Sequence, residues 1–193
     1  MAELDLVALA KGRKELEAWQ SPTDFIAKVD EIAATIKSDA LFNRTELTFL
    51  LDAMVLATFV QYRTTETVRL TPENEQWPDG QIGTAEAPVN IEVTEVLEEG
   101  RRRGQEYRDE GQPLDGNAEE WRKRALEIPT QLEKAIKRKK QKGYGKKCKL
   151  VIYINMSNYG ILQKETEAEI AAIKAKHSAD FQEICVLWQE KLL

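Results

Sequence analysis

Between Trp77 and Val96 the sequence WPDGQIGTAEAPVNIEVTEV sets the strongest local constraint on the fold. It reads as two short strands joined by a polar loop, with Pro78-Asp79 ahead of the first strand. On the second strand Ile91 and Val93 fall on one face and Glu92 and Thr94 on the other, because strand side chains alternate. β-branched apolar residues on one side and a carboxylate on the other predict a half-buried strand with its charge facing a cleft. Two acidic residues brought together from neighbouring strands suit a hard divalent cation such as Mg²⁺ (or Mn²⁺), which takes oxygen ligands and retains water.

The flanking sequence predicts further elements. An amphipathic helix is expected over Leu4–Trp19, with Leu6, Leu9, Leu16 and Trp19 inward. Ser21-Pro22 starts a second helix through Phe25, Val29, Ile32, Ala33 and Ile36. Asn43, with Glu46 three residues on, caps a third from Arg44 to about Tyr62. That helix is apolar almost all round and therefore central. Thr67–Thr71 is a first strand, Gln81–Gly83 a second and Asn90–Leu97 a third, with Pro88 stopping the pairing before it. Asn117 with Glu120 opens a helix that Pro129 breaks or kinks. Lys149–Asn155 (KLVIYIN) is nearly all apolar, as a central strand should be. Glu165–Ser178 forms a last helix with Ile170, Ala171 and Ile173 inward, and Ile184–Trp188 a last strand. The strand–helix–strand order at the C-terminal end predicts parallel pairing there, behind an antiparallel front half.

The 193 residues are 42% hydrophobic and 32% charged, a balance that fits one globular domain and excludes a disordered chain. A net charge of −5 excludes nucleic-acid binding by the molecule as a whole and confines it to local basic patches. Two such patches stand out. One is Arg101-Arg102-Arg103, which either clamps a phosphate or pairs with Glu98, Glu99 and Glu106. The other includes Lys134, Lys137, Arg138, Lys139 and Lys140 and runs on to Lys149. It is either a phosphate-binding surface or a solvated helix end whose charge complements the dipole. Cys148 and Cys185 are expected as reduced core thiols, and His177, the lone histidine, lies on a polar helix flank. Acidic residues near the N-terminus and the lack of a long apolar run predict a cytoplasmic protein that does not enter membranes.

With Pro78-Asp79, Glu92 and this order of elements, the chain resembles the PD-(D/E)xK phosphodiesterases, the restriction-endonuclease-like nucleases. The resemblance covers roughly residues 42–188. It implies a mixed central sheet flanked by helices, with residues 1–41 as an N-terminal helical extension to a nuclease-like α/β core (42–193) in a single domain. It also implies that Asp79 and Glu92 bind the metal with help from the Val93 carbonyl. Glu46 matches the acidic residue that many members supply from the preceding helix, unless it is only a helix cap. Thr94 stands where the family places a lysine. A hydroxyl supplies no positive charge, so lysines of the basic segment after Pro129 are the candidates to replace it. The expected activity is metal-dependent hydrolysis of nucleic-acid phosphodiesters. The alternative is a catalytically inactive member of the fold that binds nucleic acid or protein. A third reading is an assembly protein that forms a homo-oligomer through its first helices.

Overall fold

The computed structural model describes residues 5–36, 38–41, 43–100, 117–158 and 160–193. It is a mixed α/β protein. The chain runs through α1 (Leu6–Leu16), α2 (Pro22–Ala34), a one-turn α3 (Ser38–Leu41), a 3₁₀ turn (Thr45–Leu47) and α4 (Thr48–Gln61). Next come β1 (Thr67–Leu70), β2 (Gly80–Gly83) and β3 (Pro88–Val96). They are followed by α5 (Ala118–Gln141), β4 (Cys148–Ile154), α6 (Gln163–Lys176), β5 (Glu183–Trp188) and β6 (Lys191–Leu192). The sheet order is β1-β2-β3-β4-β5-β6. Pairing is antiparallel across β1–β2 and β2–β3, parallel across β4–β5 and antiparallel across β5–β6, so the antiparallel front and parallel back are both present. Two compact units divide the chain, and β3 passes from the first to the second between Glu92 and Val93.

In the first unit, α2 packs on α1, α4 and β1. Leu16, Phe25, Leu50 and Phe59 are fully buried there. Ser21 caps α2 as its sequence predicts, its Oγ accepting from Asp24 N at 3.1 Å, with Pro22 in the first turn. α1 stops at Leu16, short of the expected Trp19, because Gln20 pairs with the outer edge of β1. The two residues exchange both backbone hydrogen bonds, Val68 N to Gln20 O at 2.9 Å and Gln20 N to Val68 O at 3.2 Å. Trp19 thereby leaves the helix, and Leu6 is exposed rather than buried. The central helix begins at Thr48, since the 3₁₀ turn takes up the residues that Asn43 and Glu46 were expected to cap. Ala33 and Ile36 of the second helical segment are only half-buried.

The β1–β3 meander has two unlike faces. Val68 and Leu70, Ile82 and Ile91 are buried, while Arg69, Gln81 and Asn90 between them are half-buried. Pro88 does not precede β3 but begins it, opposite Gly83; a strand's first residue tolerates the missing donor. Gly80 is required where β2 crosses α4. A Cβ at Gly80 would meet Leu56 Cδ2 at 2.5 Å and Arg69 O at 3.0 Å.

In the second unit, β4 and β5 form the parallel pair with α5 and α6 packed on each other. Cys148 and Cys185 are buried free thiols, as expected. Asn117 Oδ1 accepts from Glu119 N at 3.0 Å and Glu120 N at 3.1 Å, which is the predicted cap of α5. Pro129 does not break the helix, which continues for 24 residues. Ile128 and Leu132, one on each side of the proline, are fully buried. α6 buries Thr166, Ile170 and Ile173, leaving Ala171 exposed. β6 was not foreseen. It follows β5 through Gln189 and Glu190, both at positive φ. Among the described residues no helix is long and apolar enough to cross a membrane.

The Gly80 contact makes one prediction. Gly80→Ala should lower unfolding free energy by about 1–3 kcal/mol through overpacking against Leu56. Urea denaturation would measure it, and a variant as stable as the parent would show that α4 yields freely at this point.

Candidate functional site

The first unit carries the two carboxylates of the sequence motif. Asp79 immediately precedes β2 and is half-buried, after a cis Trp77–Pro78 peptide bond. Its carbonyl accepts from Thr71 N at 3.3 Å and its N–H donates to Ile91 O at 3.1 Å. The β2–β3 register runs Gly80↔Ile91, Gln81↔Asn90. The regular pairing stops at Gly80, because the Asp79 N–H also donates to the carbonyl of Ile91, the partner of Gly80. Glu92 is 2% exposed, and β3 is covered on both sides from Ile91 to Thr94. The expected half-buried strand with an open charged face is therefore not what forms at Glu92. A buried carboxylate is costly unless it is engaged.

Glu46 lies exposed in the 3₁₀ turn. Among the described residues no three His, Cys, Asp or Glu side chains gather as a metal-binding group, so Glu46 does not join Asp79 and Glu92. The chemistry of the remaining donors fits Mg²⁺, whose shell is commonly one or two carboxylates completed by water.

The second unit places cations on the continuation of the same strand. Lys139, 9% exposed, donates from Nζ to Val93 O at 2.6 Å. Arg138 Nη2 donates to Thr94 Oγ1 at 3.2 Å. The end of α5 thus sets two positive groups on the two residues that follow Glu92. The Val93 carbonyl, expected as a metal ligand, is engaged by an ammonium.

The rest of the basic segment is paired. Lys134 lies 3.5 Å from Glu99, Lys137 3.0 Å from Glu133 and Lys140 2.8 Å from Asp180. Lys149 meets Glu183 at 2.9 Å and Lys146 Nζ donates to Ser178 O at 2.8 Å. These contacts describe a helix end tied into its own unit more than an open phosphate surface. Arg101, Arg102 and Arg103 lie outside the described residues.

His177 is buried at the end of α6, not on a polar flank. Its Nδ1 is 2.8 Å from Asp180 Oδ2 and its Nε2 3.6 Å from Glu133 Oε1. Hydrogen bonds from Lys176 and then Lys137 hold the Glu133 carboxyl down at about 2. Lys140 and His177 lower Asp180 as well.

Sequence reading passed over one group entirely. Arg69, on β1, donates from Nε and Nη2 to Gln81 Oε1 at 2.9 and 2.7 Å, and Gln81 Nε2 donates to Asn90 Oδ1 at 2.8 Å. The Arg69 guanidinium lies 4.9 Å from the Trp19 ring centre. The signal was the alternation of TVRLT itself, which puts a lone arginine opposite two apolar residues. Comparison with protein-family models, curated proteins and solved structures finds no match for this chain.

The Glu133 clasp predicts a pH effect. A carboxyl whose folded value is depressed stabilises the fold above its ordinary value and loses that contribution as pH falls. Thermal midpoints should therefore decline between about 4.5 and about 2, the ordinary and folded values of this group. Glu133→Gln should flatten that part of the profile. An unchanged acid limb in the variant would show that Glu133 contributes nothing to it.

Proposed function

We propose that this chain is a metal-dependent, nuclease-like phosphodiesterase of restriction-endonuclease-like architecture. The observation that carries this reading is the antiparallel pairing of β2 with β3, with Asp79 directly ahead of β2 and Glu92 inside β3. In this reading Asp79 and Glu92 hold Mg²⁺ (or Mn²⁺), which when bound polarises a phosphodiester and lowers the pKa of an attacking water. The element order and the antiparallel-then-parallel pairing support the same architecture; fold alone carries no activity.

A second reading keeps the fold without the chemistry, as a module that binds nucleic acid or protein. The burial of Glu92 and the occupied Val93 carbonyl favour it, because both restrict access of a cation to the strand.

Cleavage of single- and double-stranded DNA and RNA in Mg²⁺ or Mn²⁺ separates the two. Glu92→Ala should reduce cleavage to background. Absence of both cleavage by the parent protein and metal binding by calorimetry would leave the second reading.

A further inference from the structure

We propose that Arg69 is a phosphate-positioning residue, and that the polar face of β1–β3 is where a nucleic-acid backbone lies. The inference deepens the reading of Asp79 and Glu92 as a phosphodiesterase site and rests on it for the metal. Its core observation is independent of that site.

Arg69 is held in advance of any ligand. One edge of its guanidinium, Nε and Nη2, is fixed on Gln81 Oε1. The Gln81 amide is turned so that Oε1 faces Arg69 while Nε2 donates one hydrogen to Asn90 Oδ1. The ring of Trp19 holds the guanidinium's plane from the side, an arrangement that suits arginine more than lysine. Gln81 is neutral, and among the described residues no carboxylate pairs with Arg69. Nη1 is left with no hydrogen bond among them. Among the described residues this half-buried, pre-oriented guanidinium has no counter-ion, whereas Lys134, Lys137 and Lys140 each meet a carboxylate. Its open edge has the forked geometry that matches phosphate oxygens.

The fork lies two residues along the chain from a polar position on each strand. Arg69↔Gln81 and Gln81↔Asn90 are directly opposite, so Arg69, Gln81 and Asn90 form one cross-strand row. Two residues further along are Thr71 after β1, Asp79 before β2 and Glu92 on β3. Two residues of extended chain span about 7 Å. A metal–oxygen bond of about 2.1 Å and a charged hydrogen bond of about 2.8 Å leave room over that distance for a single phosphate group. Thr71 contributes a second sign of a polar ligand. It is 6% exposed, and its buried Oγ1 makes no hydrogen bond, an outstanding cost that a phosphate oxygen would remove. Two carboxylates at these positions would repel an anion, so binding should strengthen when a divalent cation neutralises them.

Fluorescence anisotropy with a short labelled single-stranded DNA and its duplex, in Ca²⁺ at low salt, tests this. Arg69→Met keeps the stem against Trp19 and removes the charge. Gln81→Glu, nearly isosteric, gives Arg69 a counter-ion and guards against a folding defect in the first variant. Each should weaken binding by about 10- to 100-fold, the value of one charged hydrogen-bonded contact. Binding within about twofold of the parent in both variants, or no binding of either probe by the parent, overturns the proposal. Arg69-dependent binding without cleavage in Mg²⁺ would instead uphold this surface and refute the catalytic reading.

Discussion

The two-residue alternation across β1, β2 and β3 is the constraint on which the first unit depends. Val68, Leu70, Ile82 and Ile91 must share the face that meets the helices, since α2 packs on β1 and α4 on β2. A slip of one residue in any strand would exchange every inward and outward side chain. Gly80 helps to fix the register, because a side chain there would displace the end of Leu56 on α4. Once the apolar rows are fixed, Arg69, Gln81, Asn90 and Glu92 have no choice but the opposite face. The polar rows are thus a consequence of the core, and their order follows from the pairing rather than from any attraction among the charges.

Those parts of the fold with a strong local period were legible in the sequence. TVRLT, NIEVTEV and KLVIYIN became strands within a residue or two of their expected limits, and the Ser21 and Asn117 caps formed as read. What the sequence concealed was decided by partners far along the chain. α1 ends early because Gln20 finds Val68, a contact that nothing near Trp19 announces. Pro129 lies inside a continuous helix because buried neighbours outweigh one lost backbone hydrogen bond. β6 depends on a turn made by Gln189 and Glu190, residues with none of the glycine or asparagine that usually mark such a turn.

The candidate site was legible to an unequal degree for the same reason. Asp79 and Glu92 stand out in the sequence because both belong to one hairpin, but the depth at which Glu92 lies does not, since covering a strand on both sides is a tertiary fact. The basic run was visible as composition. Its partners Glu99, Glu133, Asp180 and Glu183 were not, and they turn most of the apparent patch into a set of ion pairs. Such exposed pairs contribute little each. They nevertheless lower the potential that a charge count alone would suggest for that surface.

Lys139 is the exception within that run, and its difference can be stated in terms of helix geometry. Ile128, Leu132, Ala135 and Ile136 form the buried stripe of α5, and the next step of three or four residues along it falls on Lys139. Its neighbours Lys137 and Lys140 fall off the stripe and meet carboxylates near solvent. A lysine on an apolar stripe has to bury its ammonium or carry it back to water along its own stem. This one stays inside and donates to Val93 O. A leucine at this position would have served packing at lower cost. Retaining a charge there is what distinguishes residue 139 from the lysines around it, and it ties the stripe of α5 to the strand that carries Glu92.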